Sequence, residues 1–119
     1  NILTQETLLP VINKNKLMNF VSWKKNEVLF VNAFGILEPA KSKAQIPDLI
    51  LIPLLAFDKY KYRLGYGKGF YDRYLNKYLK KHKDILSVGV AFSFQKHHKI
   101  PINHNDVKVD FILTEKGIY

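Results

Sequence analysis

The chain has no cysteine, which excludes a disulfide framework and any thiolate zinc site, so a metal would be held by oxygen. Arginine is nearly as scarce. Seventeen of the nineteen basic residues are lysine, and the two arginines, Arg63 and Arg73, fall in one short segment. Acidic residues number only 10, leaving a net charge of +9 and a pI near 9.7. No apolar run approaches the roughly 20 residues of a membrane-spanning helix. The longest, Leu49 to Phe57, is broken by Pro53. The first residues lack the basic stretch and apolar core of a secretory signal. These absences lead to the expectation of a soluble, cytoplasmic protein with no membrane partner. The dearth of arginine also bears on the charge. Base readout and planar phosphate clamps favour arginine, whereas the lysines here are scattered from Lys14 to Lys116 with no interleaved aromatic stripe. The expectation is weak, salt-screened association with nucleic acid and no sequence preference, alongside a field that draws in small anions.

At 119 residues the chain has the size of one domain able to bury a core. Strands are predicted over Thr7–Ile12 and Leu17–Trp23, separated by a polar turn at 13–16, and over Glu27–Val31. Residues 32–45 show neither period and read as a loop. The apolar run Asp48–Phe57 suits a strand covered on both faces, with Pro53 at its end or at a bulge. Tyr71, Tyr74, Leu75, Tyr78 and Leu79 make one apolar stripe on a helix predicted over Phe70–His82, with Lys80, Lys81 and His82 in its last turn. Ser87–Phe92 and Val107–Thr114 complete the strands, Gly89 marking a close backbone approach. Strands joined by long, partly helical connections imply an α/β fold, an open layered sheet with parallel pairs, whose ligands sit at the carboxyl ends of strands. His82, His97, His98 and His104 lack ligand spacing and read as surface or loop residues, and Glu38 reads as a surface acid.

The segment from Leu54 to Tyr74 carries the chemistry. Gly65, Gly67 and Gly69 alternate with Tyr66 and Lys68 just before the predicted helix, and glycine takes positive φ freely, so backbone N–H groups there can turn inward on an anion. Arg63 offers a planar fork and Lys68 a point charge, while the helix start at Phe70 aims its positive end at the same place. Asp72, in the first turn, is a hard oxygen donor of the kind Mg²⁺ takes. The spacing matches neither the P-loop nor the dinucleotide fingerprint. On the glycines alone, a phosphate loop and a plain glycine-rich turn are equally good readings.

The full string decides more. Ala56-Phe57-Asp58 followed by Arg63-Leu64-Gly65-Tyr66-Gly67-Lys68-Gly69-Phe70-Tyr71-Asp72-Arg73 resembles the signature of the 5-formyltetrahydrofolate cyclo-ligase family. So do Phe34-Gly35-Ile36-Leu37-Glu38-Pro39 upstream, and Gly89-Val90-Ala91-Phe92 with Gln95 downstream. Asp106-Val107-Lys108-Val109-Asp110 with Thr114-Glu115 resembles the closing segment. The resemblance implies an open α/β fold akin to sugar-phosphate isomerases and CoA transferases, and ATP-dependent cyclisation of 5-formyltetrahydrofolate to 5,10-methenyltetrahydrofolate with release of ADP and phosphate. It further implies that Arg63, Leu64, Gly65, Tyr66, Gly67, Lys68, Gly69, Phe70 and Tyr71 form the ATP-phosphate loop, with Arg63 and Lys68 as the catalytic cations. Asp72 and Asp106 match positions that hold Mg²⁺, and Phe34, Lys68 and Tyr71 match positions near the folate, which can be polyglutamylated. A monomer is expected. The likeness begins at the family's mid-domain strand, so residues 1–119 read as the C-terminal part of the family domain. The N-terminal helix with an ATP-contacting lysine and arginine, the first sheet strand and a folate-contacting acid have no counterpart. A fragment, a split enzyme and a noncatalytic nucleotide- or folate-binding remnant all fit this, while a nucleic-acid module is suggested by charge alone.

Overall fold

The computed structural model describes residues 6–82 and 84–119. The chain divides into two compact units, Asn1–Pro47 and Asp48–Tyr119, each described by itself.

The first unit is built of two hairpins. Strands β1 (Leu8–Ile12) and β2 (Met18–Ser22) pair antiparallel from Leu8↔Ser22 to Ile12↔Met18. Lys16 takes φ 62° in the polar turn between them. Val11, Met18, Phe20 and Val21 are buried. Strands β3 (Leu29–Val31) and β4 (Leu37–Pro39) also pair antiparallel. Strand β4 corrects the expectation of a loop over 32–45. Its three residues are too few to show a period, and the hairpin is closed by Asn32, whose N–H donates to Ile36 O at 2.9 Å and whose Oδ1 accepts from Phe34 N at 2.8 Å and Ile36 N at 3.1 Å. Glu38 is likewise no surface acid. Its carboxylate is buried and accepts from Ile12 N and Asn32 Nδ2, both at 3.1 Å, which ties β4 to β1. A buried carboxylate is tolerated where such donors replace its water.

The second unit centres on a four-stranded mixed sheet in the order β10-β9-β8-β5. Strands β5 (Leu49–Pro53), β8 (Leu86–Val90) and β9 (Phe111–Thr114) run parallel, and β10 (Gly117–Ile118) returns antiparallel along β9. The connection from β5 to β8 carries a small hairpin, β6 (Ala56–Phe57) with β7 (Arg63–Leu64), and helix α1 (Phe70–Tyr78). The expected parallel pairs are therefore present in a mixed α/β sheet.

Three expectations need correction here. The run Asp48–Phe57 is two strands, β5 and β6, because Pro53 has no N–H to continue the ladder and the chain turns at Leu54 and Leu55. Strand β5 is covered on one face only: Ile50 and Ile52 are buried while Leu49 and Leu51 are 51% and 59% exposed. Helix α1 stops at Tyr78, so its last turn carries Lys77, and Lys80 and Lys81 lie in the following turn. Tyr74 and Leu75 form its buried stripe, and burial together with the neighbouring Tyr78 phenol pushes the Tyr74 hydroxyl up to about 12. The close approach at Gly89 is real. A Cβ there would lie 2.8 Å from Ile112 Cδ1 and 3.0 Å from Leu54 Cδ2. No helix among the described residues is long and apolar enough to cross a membrane.

Candidate active site

The parallel strands β5, β8 and β9 end on one edge, and the motif residues of the second unit lie beside it. Leu55 N donates to Leu64 O at 2.8 Å, which sets hairpin β6–β7 beside the exit of β5. The hairpin turn is organised by Asp58, only 2% exposed. Its Oδ1 accepts from Tyr60 N at 2.9 Å and Tyr62 N at 3.2 Å, and its Oδ2 accepts from Ile100 N at 2.9 Å. The sequence shows Asp58 within a motif but not this duty, which depends on a partner 42 residues away.

Arg63 leaves that turn pointing inward. Its side chain is 4% exposed, one Nη lies 3.6 Å from Asp72 Oδ1, and Cζ sits 5.6 Å from the centre of the Tyr71 ring. Its Nε is buried with no hydrogen-bond partner among the described residues, an unusual state for so strong a donor. Gly65 makes this placement possible, since a Cβ there would come within 2.8 Å of Arg63 Nη1. Burial raises the Tyr71 hydroxyl above its ordinary value, against the opposing pull of the Arg63 charge.

The glycine loop follows. Gly67 and Gly69 have φ of 96° and 70°, conformations that exact a strain from any residue with a Cβ. Gly69 is the residue before α1, and Arg73 N donates to its carbonyl at 3.0 Å, so the first turn of the helix opens directly from the loop. Arg73, to which the sequence reading gave no role, fastens the loop from outside: Nη1 donates to Lys68 O at 2.8 Å, with the guanidinium 5.3 Å from the Phe70 ring centre. Tyr66 and Lys68 are exposed on the loop, as is Leu64 just before it.

The structure also brings Asp72 close to the 106–107 segment. Val107 N donates to Asp72 Oδ1 at 3.3 Å, and the adjacent Asp106 accepts from Asn103 N at 3.0 Å. Among the described residues no three His, Asp or Glu side chains converge as a metal cage. Phe34 belongs to the first unit, in the turn between β3 and β4. His97, His98 and His104 are exposed, and His82 packs its ring 6.3 Å from that of Tyr78.

Two side chains fasten the strand exits. Gln95 Nε2 donates to Leu54 O and Leu55 O at 3.2 and 3.1 Å, while its Oε1 accepts from Phe92 N at 2.7 Å, so the exits of β8 and β5 are tied. Glu115 accepts from Ser93 N at 2.6 Å and Ser93 Oγ at 2.7 Å, tying β9 to β8. The Ser93 hydroxyl and then its amide hold the Glu115 carboxyl below its usual range. A depressed pKa stabilises the fold above the ordinary carboxylate value and ceases to as pH falls through the lowered one. Ser93→Ala should therefore move the Glu115 titration upward toward the ordinary range. An NMR titration of the Glu115 carboxyl checks this, and an unchanged midpoint contradicts the assignment.

The described residues form an α/β protein with a helix N-terminus, a positive-φ glycine loop and a buried guanidinium at the carboxyl edge of its parallel strands. The chain belongs to the 5-formyltetrahydrofolate cyclo-ligase family, whose model matches residues 3–115. It is 34% identical over 110 residues to a probable 5-formyltetrahydrofolate cyclo-ligase of Schizosaccharomyces pombe, covering 81% of this chain and 54% of that one. With the Haemophilus influenzae 5-formyltetrahydrofolate cyclo-ligase it shares 35% identity over 114 residues, 89% of this chain and 59% of the relative. Among solved structures, the 5,10-methenyltetrahydrofolate synthetase of Aquifex aeolicus superposes with a TM-score of 0.77 at 38% identity, covering 96% of this chain and 57% of that chain. The chain thus spans a little over half the length of these relatives.

Proposed function

We propose that this chain carries the phosphate and metal half of an ATP-dependent 5-formyltetrahydrofolate cyclo-ligase, which forms 5,10-methenyltetrahydrofolate and releases ADP and phosphate. The observation that carries the reading is Arg63: a guanidinium buried beneath a glycine loop, with its Nε unpaired. Burying such a donor without a partner is costly, and proteins keep one where a ligand group completes it. When bound, ATP supplies the phosphoryl group that turns the formamide oxygen of the folate into a leaving group.

The remaining work falls to the protein, and it is alignment and charge neutralisation rather than nucleophilic attack. Arg63 is held in place by Tyr71 and Asp72 before any ligand arrives, so its charge is oriented without reorganisation. Lys68, on the exposed rim of the loop, adds a second cation, and the N–H groups between Gly65 and Tyr71 provide neutral donors. Asp72 and Asp106 are the donors proposed for Mg²⁺. Two carboxylates suit this ion, which keeps several waters and takes further oxygens from phosphates rather than from an all-protein cage. Tyr71 and Phe34 are proposed to present aromatic faces to the folate. The fold is included in the reading: parallel β5, β8 and β9 support the likeness to sugar-phosphate isomerases and CoA transferases.

Asp72→Asn is expected to weaken binding of Mg-ATP roughly tenfold or more, because it removes a charged oxygen donor while keeping the Val107 hydrogen bond. Calorimetric titration with Mg-ATP, and with ATP alone as control, tests it. Equal affinities in both proteins would remove Asp72 from the metal site.

A further inference from the structure

Arg73 stands where helix electrostatics would not put it. It is the fourth residue of α1, next to the Asp72 that suits the positive end of the helix, and a cation so near that end is disfavoured. Residues that break a local rule of this kind collect at functional sites. The residue is exposed, so core packing does not explain it. What it holds is the glycine loop. Its Nη1 donates to Lys68 O at 2.8 Å while its backbone N–H donates to Gly69 O at 3.0 Å, so one residue binds the carbonyls that precede and follow the Gly69 Cα. The guanidinium lies 5.3 Å from the centre of the Phe70 ring, an attraction that keeps the fork against the loop. Gly69 holds φ 70° and ψ 16° between these two bonds, and a Cβ on it would come within 3.2 Å of Nη1.

The consequence lies in the peptide between Lys68 and Gly69. In a planar trans peptide the C=O and the N–H point in opposite directions. A guanidinium that holds the Lys68 carbonyl on the outside of the loop therefore aims the Gly69 N–H to the other side. It also polarises that peptide, since a charge-assisted bond to the carbonyl strengthens the N–H at its far end as a donor. We infer that Arg73 is a positioning residue of the loop, which turns and strengthens the Gly69 N–H toward a phosphate oxygen without touching the ligand itself. The inference rests on the phosphate role proposed for the loop. It gives the two arginines of the chain separate duties: Arg63 offers its charge to the ligand, and Arg73 shapes the backbone that receives it. Lysine would do only part of this work, because the planar fork alone can lie against a ring and donate sideways to a carbonyl.

The test compares three variants of the 119-residue chain. Arg73→Met keeps the stem and removes the donors, and Arg73→Lys restores one donor. Lys77→Met is the charge control: it removes one exposed cation from the same helix, an ammonium that lies 5.2 Å from the Tyr78 ring centre. All three should keep the circular dichroism of the unsubstituted chain. In Arg73→Met the amide nitrogen of Gly69 should move upfield in the NMR spectrum, and calorimetry should show Mg-ATP bound roughly tenfold more weakly. Arg73→Lys should recover part of both, and Lys77→Met should show neither change. An unmoved Gly69 resonance in Arg73→Met overturns the inference, as does a loss of affinity in Lys77→Met equal to that in Arg73→Met. Normal Mg-ATP binding by Arg73→Met alongside weakened binding by Asp72→Asn also overturns it, and leaves the proposed function standing. If the Gly69 resonance moves but neither Arg73→Met nor Asp72→Asn alters Mg-ATP affinity, the phosphate reading itself fails and the inference fails with it.

Discussion

Replacing Lys68 by alanine should lower the turnover of methenyltetrahydrofolate formation by roughly two to four orders of magnitude while leaving folate affinity nearly unchanged. The measurement is made in the chain completed with the remainder of the family domain, following product absorbance. Lys68 is exposed on the loop and its carbonyl, not its ammonium, is what Arg73 grips, so loop shape should survive the change. Stability should shift by no more than about 0.5 kcal/mol, as for other surface positions. Arg63→Ala is expected to match the loss in turnover but not the neutrality in folding. Its side chain is buried against Tyr71 and faces Asp72, so removal leaves a cavity and a carboxylate without its cation. Lys80 and Lys81, exposed beyond the end of α1, are the controls and should change neither quantity. Normal turnover in both Lys68→Ala and Arg63→Ala would show that the glycine loop is not where the phosphoryl group is held.

The difference between those two cations shows where sequence reasoning stops. Spacing identified Arg63 and Lys68 as neighbours on one loop, and the start of α1 at Phe70 followed from the glycines and the apolar stripe. Nothing in the string tells that one cation is buried and the other exposed. That is fixed by hairpin β6–β7, whose two-residue strands lie below any periodicity signal and whose turn is tied through Asp58 to Ile100. Strand β4 escaped for the same reason, and Glu38 with it, since its partners Ile12 and Asn32 are set by a pairing the sequence does not announce. The early end of α1 is a different case. Lysine and histidine at 80–82 are good last-turn residues, but they serve a turn outside the helix equally well. The run from Asp48 was read correctly in composition and too simply in extent. Its apolar character reflects both the face that is packed and the face that remains open, and Pro53 marks the break.

Asp58→Ala should cost about 3 to 5 kcal/mol of stability, the largest loss expected of any single polar residue in the second unit. The carboxylate is buried and accepts three backbone N–H groups, two within its own turn and one from Ile100. An alanine leaves all three donors without this acceptor, the Ile100 N–H in buried surroundings and the two turn N–H groups in partly buried ones, and a fully buried group of this kind costs about 1 to 3 kcal/mol. Asp58→Asn should be milder but still damaging. The amide keeps one accepting oxygen and turns an NH₂ toward the donors on the other side, so either the turn or the Ile100 tie is lost. Asp48, exposed at the start of β5, is the contrasting position, and Asp48→Asn should shift stability by less than about 0.5 kcal/mol. Urea unfolding at neutral pH measures all three. A functional consequence accompanies the structural one, because the turn that Asp58 organises delivers Arg63. In Asp58→Asn, under conditions where the protein is still folded, turnover should fall with folate affinity retained, tracking Arg63→Ala rather than Lys80→Ala. If Asp58→Ala unfolds at the same urea concentration as the unsubstituted chain, the three hydrogen bonds do not hold the hairpin, and the account of how Arg63 is positioned fails with them.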